Sequence, residues 1–330
     1  MAATWRRRIL RSLLIAAGVL LVIAIAGAIY QSVTTRRALA RFPPPGRLID
    51  VGGRRLHLLC IGEGAPTVIF EPSGLGGALS AERARTALAA TTRVCSYDRM
   101  GTGWSEPGPA VITIGALADD LHRLIDGAGL QPPFIIVPAS VGGLTAELFT
   151  RRHPERVAGI VFLDAASSEA LDRAVDMATS TRVAAVCLLP TAARVGLLRL
   201  IDPLGLRQDP SPGSERGRAL IYRAEPMSTF CGLARGVDAS VAEFRTAPPL
   251  PPALPMIVLT AETNNGLVPP MLTSLVGADI TPARRVAHQR LAARSSRGVW
   301  QIVPKSDHLI GSSQPDAVVT AVLEIIRANR

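Results

Sequence analysis

Ser140 stands where a serine can be made reactive. It follows the apolar run Phe134-Ile135-Ile136-Val137 and precedes Val141-Gly142-Gly143-Leu144, which opens an amphipathic segment. Such a run, followed at once by small residues and a helical pattern, predicts a sharp strand-to-helix turn. That turn lifts a serine hydroxyl clear of the backbone and needs tiny neighbours such as Gly142. A helix N-terminus also favours negative charge developing beside the serine. Standing alone, Ser140 would read equally well as a helix N-cap. A second stretch supports the reactive reading. Thr67-Val68-Ile69-Phe70-Glu71 runs through Pro72 into Ser73-Gly74-Leu75-Gly76-Gly77. There the Leu75 N–H could pair with the Val141 N–H to hold an oxyanion, although glycines also occur in turns that only need their conformational freedom. Among the five histidines, His57 falls in a strand, His122 and His288 in helical stretches, and His153 before a proline at a helix end. Only His308 lies in a loop just beyond a strand, where a general base for Ser140 is needed.

The elements that must position these groups alternate. Strand-like runs are expected at Arg47–Val51, Arg54–Ile61, Thr67–Glu71, Arg93–Tyr97, Phe134–Val137, Gly159–Leu163, Met256–Thr260 and Val299–Val303. Several are unbroken β-branched apolar runs, as expected of parallel strands covered on both faces. Helical patterns fall at 79–90, 113–129, 141–153, 281–294 and 315–328. Alternation of this kind predicts a mostly parallel sheet wound with helices. Gly52-Gly53 between the first two strands predicts a hairpin. Between the sixth and seventh strands, residues 165–255 break the rhythm with helical pieces near Glu169–Ala185 and Ser214–Phe244. A proline-rich stretch, Ala247-Pro248-Pro249-Leu250-Pro251-Pro252, leads back to the sheet. An insertion there would roof the strand ends, where open α/β sheets bind ligands.

Four motifs in order carry a family resemblance over residues 47–330. They are the glycine-rich loop after Glu71, Cys95-Ser96-Tyr97-Asp98-Arg99-Met100-Gly101-Thr102-Gly103-Trp104-Ser105, the turn at Ser140, and Asp307-His308 followed by Gln314-Pro315-Asp316-Ala317-Val318. The chain resembles the α/β-hydrolase superfamily and its esterase-like members. The resemblance implies an eight-stranded, mostly parallel sheet with helices on both faces and a helical cap after the sixth strand. It also implies a Ser140–His308–acid triad with Leu75 and Val141 as oxyanion donors, no cofactor or metal, and a small-molecule acyl substrate. Most such enzymes carry the acid after the seventh strand, where this chain has Glu262-Thr263-Asn264 and Asn264 cannot be charged; some carry it after the sixth, where this chain has Asp164. Asp164 is preferred, with Glu262 as the alternative. Pro138 stands where the turn usually has glycine, and its fixed φ predicts either a distorted turn or one suited to proline. Pro138 and Asn264 motivate a second reading, a fold that binds or scaffolds at the membrane without catalysis; a third is a membrane receptor domain with the insertion as its partner surface. The serine at position 140 argues against haloalkane or epoxide hydrolysis, which uses a carboxylate nucleophile.

The N-terminus adds a location. No charged residue interrupts Ser12–Val33, while Arg6, Arg7, Arg8 and Arg11 precede that run and Arg36, Arg37 and Arg41 follow it. About 20 apolar residues suffice to cross a bilayer as a helix. Residues 1–33 are therefore expected to be a transmembrane anchor and 34–46 a proline-rich spacer, with core segments at 47–164 and 256–330. The positive-inside bias puts the hydrolase domain on the extracytoplasmic side. Small residues around Ala24–Ala28 leave a cleaved, secreted form as the alternative. The net charge of +10 falls to +3 beyond residue 41, so it belongs to the anchor's flanks and not to a nucleic-acid surface. Cys60 and Cys95 fall on strands that neighbour one another in the hydrolase sheet order, and Cys187 and Cys231 both fall in the insertion. The favoured disulfides are therefore Cys60–Cys95 and Cys187–Cys231, with four buried free thiols as the alternative.

Overall fold

The computed structural model describes residues 2–74, 76–169, 171, 180–205, 214–263 and 281–329. Eight strands form one sheet: β1 (Arg47–Asp50), β2 (Arg55–Ile61), β3 (Thr67–Glu71), β4 (Val94–Tyr97), β5 (Phe134–Pro138), β6 (Val157–Leu163), β7 (Met256–Ala261) and β8 (Gly298–Val303). Their spatial order is β1-β2-β4-β3-β5-β6-β7-β8. The pairs β1–β2 and β2–β4 are antiparallel and every other pair is parallel. The hairpin between β1 and β2 turns on Gly52 and Gly53, with φ of 88° and 87°. Positive φ at both central residues is the conformation that makes Gly-Gly a hairpin signal.

The central strands are apolar throughout because both their faces are covered. All five residues of β5 are buried. Phe134 and Ile136 join the core beneath α3 (Ile114–Gly127) and α4 (Gly142–Arg152). Ile135 and Val137 join the core on the other face, beneath α2 (Glu82–Leu88) and α13 (Pro315–Ala328). Each fully buried aliphatic side chain contributes roughly 1.5–3 kcal/mol, so truncating Ile136 to alanine would cost about 2–5 kcal/mol. The helix starts have visible causes. The Thr113 hydroxyl accepts the Ala116 N–H at 3.1 Å ahead of α3, and Pro315 supplies its fixed φ at the first turn of α13.

Between β6 and β7 the described residues hold helices and no strand: α5 (Ser180–Val186), α6 (Leu189–Arg194), α7 (Leu197–Ile201), α8 (Ser214–Ile221), α9 (Ala224–Arg235) and α10 (Val237–Thr246). The sequence reading missed α6 and α7 and merged α8, α9 and α10 into one stretch. Both disulfides form as expected: Cys60–Cys95 joins directly opposed positions of β2 and β4, and Cys187–Cys231 joins the approach to α6 with α9. After β7 come α11 (Thr281–Ala292) and, beyond β8, the short α12 (Ile310–Ser313).

At the N-terminus α1 runs unbroken from Ala2 to Arg41. This changes the expected spacer: residues 34–41 are helical, and only the Phe42–Gly46 stretch is irregular. No proline occurs before position 43, so nothing stops the helix earlier. Trp104 fastens this stretch to the domain by donating its indole N–H to the Phe42 carbonyl at 2.9 Å.

Candidate active site

Strand β5 delivers Ser140. Ala139 still bridges to Leu163 of β6, and the chain then turns through Ser140 at φ 52°. A positive φ is uncommon outside glycine, and such strain collects at functional turns. Neighbouring backbone pins the residue. Its N–H donates to the Leu163 carbonyl at 3.3 Å, and its own carbonyl accepts the N–H groups of Ala166 at 2.8 Å and Gly143 at 3.0 Å. The small residues that follow are required by close approach. A Cβ on Gly142 would stand 2.6 Å from the Pro72 carbonyl oxygen, and one on Gly143 would stand 2.2 Å from that of Ala166. Pro138 leaves this geometry intact. The β5–β6 pairing lapses between Ile136↔Ile160 and Ala139↔Leu163, so the missing proline N–H falls in the gap.

Asp164 follows β6 directly, at φ 45° and almost fully buried. Its Oδ1 accepts the Ala261 N–H at 3.0 Å. Its Oδ2 accepts both His308 Nδ1–H at 2.6 Å and Arg284 Nη1–H at 2.7 Å. The structure thus brings together Asp164 and His308, the residues that close strands β6 and β8. With Nδ1 donating to a carboxylate, Nε2 of the neutral imidazole is left as the acceptor. Glu262 does not share this arrangement. It is exposed, and its carboxylate accepts the Lys305 N–H at 2.8 Å, so it braces the loop that carries His308. Asn264 lies outside the described residues.

Of the two expected oxyanion donors, Leu75 also lies outside the described residues. Val141 is half-buried, and its backbone N–H makes no hydrogen bond among the described residues. The glycine-rich loop passes it closely, since a Cβ on Gly74 would stand 3.7 Å from Val141 Cγ1. That loop is held from below. Arg99, fully buried, donates from Nη2 to Glu71 Oε1 at 2.8 Å and to the Pro72 carbonyl at 2.6 Å, and from Nη1 to the Ser73 carbonyl at 3.1 Å. Burial pushes the Glu71 carboxyl up, against the opposing pull of the Arg99 charge.

Several neighbours had escaped the sequence reading. Arg284 and His288 both come from α11. His288 donates Nε2–H to the Ala165 carbonyl at 3.0 Å and accepts the Thr260 hydroxyl on Nδ1 at 2.7 Å; the Trp300 indole also donates to that Thr260 oxygen, at 2.9 Å. Burial lowers the His288 pKa, opposed by the nearby Asp164 charge. Phe230 of α9 remains 41% exposed, and its Cε2 would lie 3.9 Å from a Cβ on Gly74. An apolar ring therefore faces the glycine-rich loop. A lone histidine or phenylalanine on a helix carries no local mark of such a role, and only the packing of α9 and α11 reveals it. Among the described residues no cluster of histidine, cysteine and carboxylate side chains could hold a metal ion.

Comparison with known proteins agrees with this architecture. A family model for the alpha/beta hydrolase fold matches residues 66–184. An uncharacterized protein of Schizosaccharomyces pombe is 37% identical over 84 residues, which are 26% of this chain and only 16% of that protein. A thermophilic esterase from Thermogutta terrifontis superposes with a TM-score of 0.61 at 24% identity, covering 86% of this chain and 98% of the esterase. The enol-lactonase of Burkholderia xenovorans superposes with a TM-score of 0.57 at 20% identity, covering 85% of this chain and 100% of the lactonase. With the sheet order and the position of the turn at Ser140, these likenesses show that the chain has the α/β-hydrolase fold.

Proposed function

We propose that the protein is a serine hydrolase of ester or related acyl bonds in small to medium apolar substrates. The observation that carries this reading is the bond from His308 Nδ1 to the buried Asp164 carboxylate beside a Ser140 held at positive φ. In this mechanism Nε2 of His308 takes the Ser140 proton as Oγ attacks the substrate carbonyl. The carbonyl oxygen becomes an oxyanion facing the Val141 N–H, with Leu75 as the second donor. Collapse of the tetrahedral species breaks the bond to the leaving group, which receives the proton from His308, and a water molecule then releases the acyl group from Ser140 by the same steps. Asp164 holds the imidazole in the productive tautomer and stabilises its charged form. Phe230 and the insertion helices supply the apolar side of the substrate cleft. The esterase and lactonase folds named above support an acyl substrate class.

The membrane reading is part of the proposal. The stretch Trp5–Arg41 is long and apolar enough to cross a bilayer. Leu13, Leu14, Ile15, Leu20 and Ile23 are each more than 60% exposed, a surface suited to lipid. The basic cluster before it sets the hydrolase domain outside the cytoplasm.

The test is labelling of the full chain, in detergent micelles, with a fluorophosphonate probe beside S140A and H308A. Labelling that needs both residues supports the activated nucleophile. Absence of labelling in the folded wild-type chain refutes it and favours the scaffold reading.

A further inference from the structure

The second half of α1 is gripped by the insertion helices. The carbonyl of Val195 lies so near Gly27 that a Cβ there would stand 2.2 Å from it. Gln31 is buried, donates to the Tyr222 carbonyl at 2.8 Å, and accepts Arg199 Nε–H on its Oε1 at 3.0 Å. Further along, Arg41 pairs with Glu215 at 2.7 Å. Between α1 and this insertion lies a cleft of about 500 Å³, whose walls include Arg37 and Arg41 from α1 and Arg199, Glu215 and Arg218 from the insertion. Four guanidinium groups face one carboxylate, so the cleft carries an excess of positive charge. Beside it, α7 buries Leu198 and Arg199 and turns Leu197, Leu200 and Ile201 outward at 45%, 58% and 48% exposure. These three are spaced i, i+3 and i+4, which makes one continuous apolar face.

Depth along α1 gives these surfaces a common meaning, one that rests on the membrane reading above. The uncharged run from 12 to 35 is about 36 Å long as a helix, slightly more than the ~30 Å hydrocarbon layer. Gly27 lies nine residues before Arg36, roughly 14 Å deeper along the axis. The Val195–Gly196 turn that leads into α7 therefore sits at acyl-chain depth, while Arg37, Arg41 and Arg218 sit at the level of lipid phosphates. We infer that this cleft binds the phosphate headgroup of an anionic membrane lipid, whose acyl chain lies along Leu197, Leu200 and Ile201. The bound lipid fastens the insertion to the bilayer, with the substrate cleft behind it. Arg199, already engaged with Gln31 and with the carbonyls of Arg218 and Ala219, contributes its charge to the cleft from fixed bonds. Arg37 and Arg218 supply the adjustable contacts.

The experiment uses the full chain reconstituted into vesicles of phosphatidylcholine with added phosphatidylglycerol. Flotation with the vesicles reports the anchor, and native mass spectrometry after gentle detergent extraction reports the retained lipid. The wild type is expected to retain phosphatidylglycerol over phosphatidylcholine. The double variant R37Q/R218Q should lose about 30-fold of that preference, which is two near-surface charges at about 1 kcal/mol each, while R37K/R218K keeps it. Unchanged thermal midpoints exclude misfolding as the cause of any loss. A chain that floats while R37Q/R218Q retains phosphatidylglycerol as the wild type does overturns the lipid site and leaves the anchor standing. A chain that does not float overturns the anchor, and the lipid site with it. Displacement of the lipid by excess inorganic phosphate identifies a free-anion site and overturns the lipid assignment.

Discussion

Replacing Asp164 by asparagine tests the site at its most informative atom. Oδ2 of Asp164 serves two donors, His308 Nδ1–H at 2.6 Å and Arg284 Nη1–H at 2.7 Å, while Oδ1 serves the Ala261 N–H at 3.0 Å. An asparagine has one acceptor oxygen and one NH2 group. If the oxygen stays with Ala261, the NH2 meets two donors, and His308 escapes the clash by moving its proton to Nε2, where it can no longer take one from Ser140. If the amide flips, the NH2 opposes the Ala261 N–H instead. Triads locked in the wrong tautomer lose roughly 10⁴-fold in turnover, about 5 kcal/mol of barrier. Stability should fall too, because the Asp164 carboxylate forms an ion pair with the Arg284 side chain, which is only 10% exposed; breaking a buried pair costs up to about 3–5 kcal/mol. The assay is the second-order rate of fluorophosphonate labelling together with hydrolysis of a short aryl ester, run below the melting temperature of the variant. E262Q is the control: among the described residues its carboxylate meets the backbone of the His308 loop, so its rate should stay within a few-fold of wild type. A folded D164N within about tenfold of wild type would refute the assignment. So would a thousand-fold loss in E262Q.

Other expectations follow from particular contacts. F230A should raise KM for apolar acyl esters by roughly tenfold with kcat nearly unchanged, because the ring faces the glycine-rich loop; an equal fall in kcat would show that Phe230 shapes the turn instead. His288 should make the fold acid-sensitive. Its folded pKa is lowered from the ordinary 6.5 by burial, so below that pH the unfolded chain takes up a proton that the folded one resists. The stabilisation is present above pH 6.5 and is lost as pH falls through the lowered value. H288N should flatten the slope of melting temperature against pH on the acidic side, and an unchanged slope would count against the neutral histidine. Removing the Cys60–Cys95 bond, which closes a separation of 35 residues, should cost about 4 kcal/mol in the chain-entropy account. That corresponds to a drop of roughly 10 °C in the melting temperature of C60S/C95S measured by calorimetry.

The alternation of strands and helices and the turn that carries Ser140 were legible in the sequence, because each rests on a local pattern. A buried parallel strand must be apolar on both faces, as at Phe134–Val137. A strand-to-helix turn must use small residues, as at Gly142 and Gly143. A Gly-Gly pair permits positive φ twice, as at 52 and 53. Both disulfides were legible once the sheet order was assumed, since that order fixes which strands adjoin. The choice between Asp164 and Glu262 was open in the sequence, because both follow strands that end near His308. The tertiary structure sets Asp164 against His308: parallel pairing of β6 and β7 buries it beneath the Ala261 N–H, while Glu262 emerges one position beyond β7 and turns outward. Arg284, His288 and Phe230 had no local signal, for their roles depend on how α11 and α9 lie across the strand ends. The union of α1 with the insertion was equally invisible. An apolar run with basic flanks declares a span, but only packing brings Gly27 against Val195, more than 160 residues away.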